Sequence, residues 1–107
     1  TTPEVSAVRD AGRIIGLLEA AELRDPMLII NRLRPKMVRA GDMMSIDDII
    51  DILAVDLIGV IPEDEMIVVT TNKGEPVVMD TTSLSGQAFR NVVSRLKEEE
   101  VPFLDLD

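Results

Sequence analysis

Two short runs made only of apolar residues, at positions 27–30 and 57–61, constrain the fold of this chain more than any other feature. Uninterrupted apolar runs of this length are typical of parallel strands that are covered on both faces. Helical patterns precede, separate and follow them, so the order of elements predicts an α/β fold with a parallel sheet and right-handed connections. Because two parallel strands do not make a stable sheet alone, we expect the chain to be an incomplete part of a larger sheet, with further strands before Thr1.

Three helices are expected around these strands from their apolar periodicity and capping residues. The first runs from a cap at Thr2 to about Leu23, with this buried stripe: Val5, Val8, Ala11, Ile15 and Leu18. The second covers residues 46–53 behind Ser45. The third covers about 84–98 behind Thr82 or Ser83, with this stripe: Phe89, Val92, Val93 and Leu96. Residues 31–42 are expected to form a polar connection and 75–78 an extended segment, while 63–72 fit a helix or a strand.

Charge and missing residue types exclude several classes of function. The 107 residues include 20 acidic and 11 basic side chains, a net charge of −9, which argues against a nucleic-acid surface or an anionic-membrane surface spread over the chain. There is no Cys and no His, so thiol catalysis, imidazole-dependent triads and Cys/His metal sites are excluded. The sequence has neither a G-x-x-x-x-G-K-[ST] phosphate loop nor a carboxylate pair suited to metal-assisted phosphoryl transfer. We therefore expect no catalytic residue and no metal site within it.

Polar residues follow both predicted strands, at the place where open α/β sheets bind ligands. After the first strand, the Asn31 carboxamide matches the donor and acceptor edge of adenine, and Arg32 can stack on a ring or pair with a phosphate. After the second strand, Pro62 leaves a free carbonyl before it on a fixed backbone, and Glu63 and Asp64 follow. Each group also has a purely structural interpretation, an Asx-type turn in the first case and a strand stop with a helix cap in the second. Both interpretations stay open at this point.

Two charged groups of side chains are also open to two interpretations. Four of the eleven bases fall within eight residues: Arg32, Arg34, Lys36 and Arg39. They could hold phosphates or an acidic partner, or they could form a solvated loop. On the first helix one polar face carries these residues: Ser6, Arg9, Asp10 and Arg13. That face is either solvated or, through Arg9 and Asp10, a contact between subunits.

Five segments of the chain, taken in order, carry a family resemblance. They are Thr1-Thr2-Pro3-Glu4-Val5-Ser6-Ala7-Val8-Arg9-Asp10, Asn31-Arg32-Leu33-Arg34-Pro35, Gly41-Asp42-Met43-Met44-Ser45, Gly59-Val60-Ile61-Pro62-Glu63-Asp64 and Asn72-Lys73-Gly74-Glu75-Pro76-Val77. Together they resemble the C-terminal portion of the MinD/ParA family of deviant-Walker P-loop ATPases, in the branch that places the division site. The alternatives are a partition or flagellar-placement ATPase, which the 41–45 segment fits less well, and an acidic interaction module that binds no nucleotide.

The resemblance implies that residues 1–107 are the C-terminal part of one P-loop NTPase domain, whose phosphate loop and switch regions lie upstream of Thr1. The full-length protein would then bind ATP and Mg²⁺, dimerise on ATP, hydrolyse it, recruit MinC and respond to MinE. It would be cytoplasmic and peripheral on the inner membrane through a C-terminal helix that this chain lacks, with the plastid as an alternative location. This portion alone is expected neither to bind ATP tightly nor to hydrolyse it.

The resemblance also assigns residues to two sites. The base side of the nucleotide site would be formed by these residues: Asn31, Arg32, Pro62, Glu63 and Asp64. The dimer and partner face would be formed by these residues: Glu4, Val5, Ser6, Arg9, Asp10, Asn72 and Gly74. Gly12 departs from the Asp that the family usually has there, which affects that corner of the partner face.

Overall fold

The computed structural model describes residues 1–106 as an α/β unit with a parallel sheet, which confirms the predicted fold class. Within that range the helices are α1 (Val5–Ala20), α2 (Pro35–Arg39), α3 (Ile46–Leu53), α4 (Glu65–Asn72) and α5 (Leu84–Leu96). The strands are β1 (Met27–Leu33) and β2 (Asp56–Pro62), and Val77–Met79 form a 3₁₀ turn. No helix between residues 1 and 106 is long and apolar enough to cross a bilayer.

The sheet is covered on both faces, as its apolar strands predict. On one face, α1 and α3 pack a buried cluster: Val8, Leu28, Ile30, Leu33, Ile49, Leu53 and Val60. On the other face, α5 packs a smaller one: Ile61, Ala88 and Val92. Thr1 lies beside β1 as well, because its ammonium group donates to Ile29 O at 3.0 Å and its carbonyl accepts from Asn31 N at 2.7 Å. These two bonds follow the pattern of a parallel ladder.

Both strands extend further than their apolar runs. β1 continues through Asn31 and Arg32 to Leu33, and β2 includes Pro62 as its last residue. The prediction that Asn31 and Arg32 lie past the strand end is therefore wrong, as is a stop before Pro62. The reason is an irregularity in the ladder between Ile30 and Leu33, where Arg32 adopts a φ of 59° and the pairing resumes with Leu33 opposite Pro62.

The first and last helices differ from expectation in their ends and buried faces. α1 starts at Val5 after Glu4, without a side-chain cap from Thr2, and it ends at Ala20. Of its predicted stripe only Val8 is fully buried, and Val5 is 60% exposed, because among the described residues α1 packs mainly against α3. α5 ends at Leu96 and has Ser83 as its cap.

The buried face of α5 is made mostly of small or polar residues: Ser85, Gly86, Ala88, Asn91 and Val92. Of the predicted stripe, Val92 is buried and Phe89 packs against its cluster, which confirms half of it. The other two are exposed, Val93 at 48% and Leu96 at 56%. The helix approaches β2 closely at Gly59, where a Cβ atom would lie only 2.4 Å from Val92 Cγ2. A close approach of this kind favours small side chains on the helix face.

Three connecting segments form helical turns that the sequence did not predict or left undecided. α2 interrupts the predicted polar connection, with Pro35 at its first turn. The 63–72 segment is helical as α4 despite its β-branched residues, because Asp64 caps it by accepting from Met66 N at 2.9 Å. The expected extended segment at 75–78 instead enters the 3₁₀ turn at Val77. Ser45 caps α3 as expected, accepting from Asp48 N at 3.1 Å.

Candidate functional site

The ends of β1 and β2 lie side by side, so the two predicted strand-end groups meet at one edge of the sheet. Glu63 N donates to Leu33 O at 2.8 Å. The Glu63 carboxylate also pairs with both neighbouring cations, with Arg34 Nε at 3.0 Å and with Arg32 Nη2 at 3.5 Å. Glu63 therefore bridges the two strand ends and orients Arg32, near the end of β1, and Arg34, which follows it.

Asn31 is exposed at this edge and makes a local contact through its side chain. Its Oδ1 accepts from Arg32 N at 2.9 Å, which resembles the Asx-type interaction of the structural interpretation. No residue between 1 and 106 accepts a hydrogen bond from its side-chain NH₂ group. The amide nitrogen therefore keeps two donors for a ligand.

Asp64 serves as a structural acceptor between two helices. Its Oδ1 caps α4, while its Oδ2 accepts from Ser85 Oγ at 2.7 Å and from Ser85 N at 3.3 Å at the start of α5. Burial raises the pKa of the Asp64 carboxyl, but the hydrogen bonds from Ser85 and Met66 outweigh it, so the pKa lies below its ordinary value. Both oxygens are engaged within the fold, so Asp64 shapes the site by joining its walls.

Because of Asp64, the free energy of unfolding is therefore expected to fall in acid. A carboxyl whose pKa is lowered by folding adds stability above its unfolded-state pKa, and that stability is lost as the pH falls through the folded-state pKa. Asp64→Asn keeps an acceptor for Met66 N but sets an NH₂ group against the Ser85 donors. We expect a loss of about 1–2 kcal/mol at pH 7 that shrinks toward pH 2, measured by urea unfolding.

The control is Asp51→Asn on the exposed side of α3, which should change stability little at either pH. An equal loss for Asp64→Asn at both pH values would show that the carboxylate charge has no part in the effect.

Hollows adjoin the strand ends on more than one side. A cleft of about 400 Å³ lies between the end of β2 and the start of α5, lined by Pro62, Glu63, Asp64, Met66, Thr82, Ser83 and Leu84. A smaller pocket of about 150 Å³ is lined by Glu4, Arg32, Arg34, Met37, Asp42, Met43 and Glu63. The sequence did not indicate that residues 82–84 line the first cleft, since only the packing of α5 brings them to β2. The second pocket joins Glu4 of the predicted partner face to the predicted nucleotide residues.

The rest of the predicted partner face lies on two helices, α1 and the end of α4. On α1, Asp10 pairs with Arg13 at 3.1 Å, and both side chains of this pair are about 70% exposed. Asn72 and Gly74 lie at the end of α4, where Gly74 has a φ of +73°. The α1 side chains pack into the cluster on one sheet face, whereas Ile67 of α4 packs into the other cluster. The two parts of the predicted partner face are therefore carried by helices that pack against different clusters, and their role in partner binding stays a prediction.

The chain is similar to known proteins over nearly all of its length. It is 56% identical over 106 residues to the septum site-determining protein MinD of Synechocystis, matching 98% of this chain and 40% of the relative. It is 44% identical to MinD of Bacillus subtilis, with 100% of this chain and 40% of the relative matched. The chain thus spans about 40% of the length of these curated relatives. No protein-family profile matches it.

Solved structures agree with the sequence relatives. The MinD cell division protein of Aquifex aeolicus superposes with a TM-score of 0.95 at 44% identity, covering 98% of this chain and 44% of that one. The MinC:MinD complex of the same organism gives a TM-score of 0.95 at 44% identity, covering 98% and 43%. MinD of Pyrococcus horikoshii, complexed with Mg-ADP, gives 0.79 at 29% identity, covering 92% and 39%. The chain is therefore a homologue of the MinD septum site-determining proteins over nearly its whole length, consistent with the C-terminal portion of their P-loop NTPase fold.

Proposed function

We propose that this chain forms the C-terminal portion of a MinD-like ATPase that places the division site. In that protein it would supply the base side of the ATP site and part of the surface that binds partners. The similarity to MinD proteins along nearly the whole chain supports the division-site role.

The observation that carries the nucleotide proposal is the meeting of the two strand ends. Asn31 offers amide donors there, Pro62 fixes the backbone beside the 400 Å³ cleft, and Glu63 pairs with Arg32. A carboxamide with free donors suits the acceptors on the edge of adenine. The Pyrococcus relative complexed with Mg-ADP supports a nucleotide as the ligand.

The phosphates and the Mg²⁺ ion would be held by other parts of such a protein. The 107 residues contain no G-x-x-x-x-G-K-[ST] motif, and phosphate contacts supply most of the binding in a P-loop site. The residues at the strand ends therefore fit the base and orient it, while hydrolysis belongs to the longer protein. The chain alone is expected to bind ATP weakly and not to hydrolyse it.

The partners follow from the same proposal. The Aquifex MinC:MinD complex supports MinC as a partner. The proposal also gives the longer protein three further properties: dimerisation on ATP, stimulation by MinE and peripheral attachment to the inner membrane. A role in the plastid is the alternative location. A net charge of −9 favours protein partners over nucleic acid.

Asn31→Ala tests the nucleotide site in a chimera, in which this chain replaces the matching segment of the Synechocystis relative. Losing one bidentate base contact costs about 1–3 kcal/mol, so we expect ATP affinity to fall roughly 10-fold or more by calorimetry. Thermal stability should be unchanged, because Asn31 is exposed.

The control is Asp51→Ala, which removes an exposed polar side chain of α3 outside both predicted sites and should leave ATP affinity intact. If Asn31→Ala binds ATP as tightly as the unmodified chimera, Asn31 has only its structural role.

A further inference from the structure

We propose that residues 101–106 close the outer edge of β2, the side that faces away from β1, and that their release lets a second copy of this chain pair with that edge. These six residues are called here the strap. Arg95 on α5 is the side chain that fastens the strap. The proposal is independent of the nucleotide site, because it rests on β2, on α5 and on the strap.

β2 has a neighbouring strand on one side only. Within residues 1–106 the sheet consists of β1 and β2, so no strand lies along the outer edge of β2. The centre of β2, residues 57–61, is an uncharged apolar run with three β-branched side chains. An exposed edge strand of this kind pairs readily with another chain, and natural proteins cover such edges with a loop or with charged side chains.

Arg95 occupies a hydrogen-bond acceptor on β2. Its Nη1 donates to Ile58 O at 2.8 Å. The pairing with β1 steps from Leu57 to Gly59 where β1 advances by one residue, so Ile58 has no paired residue on β1. An added strand could not use this carbonyl while the guanidinium group holds it.

The same guanidinium group fastens the strap. Arg95 Nη2 donates to Val101 O and to Pro102 O at 3.2 Å each, and Nε donates to Val101 O at 3.3 Å. The guanidinium carbon lies 3.8 Å from the centre of the Phe103 ring, a distance typical of a cation–π contact. One side chain therefore connects β2 to the first three residues of the strap.

The strap runs along β2 from its start to its end. Phe103 lines a hollow with Leu57 near the start of β2, whereas Leu106 lines one with Glu63, just past its end. Leu104 packs against the cluster on the α5 face of the sheet, and Leu106 packs against the cluster on the opposite face. Because β1 lies on the inner side of β2, a segment that contacts both clusters passes along the outer edge.

The strap is only partly buried. Its side chains are half-buried at Leu104 and Leu106 and exposed at Phe103 and Asp105. An apolar groove of about 440 Å³ remains between the strap, α2 and α3, so the strap does not fill the surface that it crosses. We therefore expect loss of the Arg95 contacts to release it.

A second copy of this chain fits the uncovered edge. Two copies related by a two-fold axis would pair residues 57–61 of one β2 with the same run of the other in antiparallel orientation. The run carries no charge, so this pairing sets no like charges opposite each other. It also needs no nucleotide, which separates it from dimerisation on ATP.

The test is sedimentation velocity of Arg95→Gln in the Synechocystis chimera without ATP. We expect the variant to sediment faster as its concentration is raised, and the unmodified chimera to show no such change. Chymotrypsin should cleave after Phe103 roughly 10-fold or more faster in the variant, because several hydrogen bonds to a charged group are lost. In the associated variant, the amides of residues 56–61 should exchange hydrogen more slowly than in the dilute variant.

The matched control is Arg90→Gln. Arg90 also lies on α5 and donates to two backbone carbonyls, Val78 O at 2.8 Å and Asp80 O at 3.0 Å, which belong to the 3₁₀ turn and its end instead of β2. Its loss should lower the melting temperature by circular dichroism without causing association. The double variant Leu104→Asp/Leu106→Asp leaves Arg95 in place, should associate like Arg95→Gln, and decides the outcome if Arg95→Gln does not fold.

Three results would each overturn the proposal. The first is that the strap variants stay monomeric, or that chymotrypsin cleaves them no faster than the unmodified chimera. The second is that Arg90→Gln associates as strongly as Arg95→Gln, which would make general destabilisation the cause. The third is association without slower exchange at residues 56–61, which would place the contact away from the β2 edge.

Discussion

Replacing Gly86 by alanine is expected to lower the free energy of unfolding by about 3 kcal/mol, the upper range for forcing atoms into a packed interior. Gly86 lies in the first turn of α5 against the 3₁₀ turn. A Cβ atom there would be 2.5 Å from Asp80 O and 2.7 Å from Val77 O. Both are backbone atoms, so relief of the overlap requires the 3₁₀ turn and α5 to move apart. Urea unfolding of the variant measures the loss.

Gly16→Ala is the matched control for this experiment. Gly16 lies within α1, and a Cβ atom added to it would meet no described atom within 4 Å. Since alanine restricts the unfolded chain and favours a helix, this variant should gain about 0.4–1 kcal/mol. If both variants change stability by the same amount, α5 is not packed against the 3₁₀ turn as closely as the structure has it.

Asp10→Ala is expected to weaken the binding of MinC to the Synechocystis chimera by about 2–5 kcal/mol, or roughly 30-fold and more, if the α1 face serves partners as proposed. The physical reason is that a partner's charge would lose its counter-charge inside an interface. Folding should hardly change, because the Asp10–Arg13 pair is about 70% exposed and such pairs contribute about 0–1 kcal/mol. A pull-down on ATP-loaded chimera measures the effect.

Asp51→Ala on α3 controls for the loss of one exposed carboxylate and should bind MinC normally. If the Asp10→Ala variant binds MinC and MinE as tightly as the unmodified chimera, the α1 face is only a solvated surface. The partner surface then lies elsewhere.

The two strands and the helices α1, α3 and α5 could be predicted from local patterns. The apolar runs at 27–30 and 57–61 are the centres of β1 and β2, and Ser45 and Ser83 cap α3 and α5. These features depend on side chains within a few residues of each other, so the sequence carries them directly. The buried face of α5 is different, because its small residues matter only where Gly59 lets the helix approach the sheet.

The candidate site divides in the same way. Parallel strands place their carboxyl ends at one edge, so the pairing of Asn31 and Arg32 with Pro62 to Asp64 was predictable in outline. The roles within that edge were not. Glu63 bridges Arg32 and Arg34, which lie 29 or more residues away from it along the chain. Asp64 joins α4 to α5 by accepting from Ser85, which is 21 residues away. Local patterns in the sequence cannot show contacts over such separations.

What could be read from the residues alone, then, was the α/β class, the order of the two strands and of α1, α3 and α5, the strand-end edge and the resemblance to the MinD/ParA family. Only the tertiary structure decided the extension of β1 past Asn31, the burial of each helix face and the packing of α1 and α4 against different clusters. The physical reason is the distance along the chain over which each interaction acts. Propensity, capping and periodicity act over one or two turns, whereas these later features arise where distant segments compete for the same space and the same hydrogen-bonding groups.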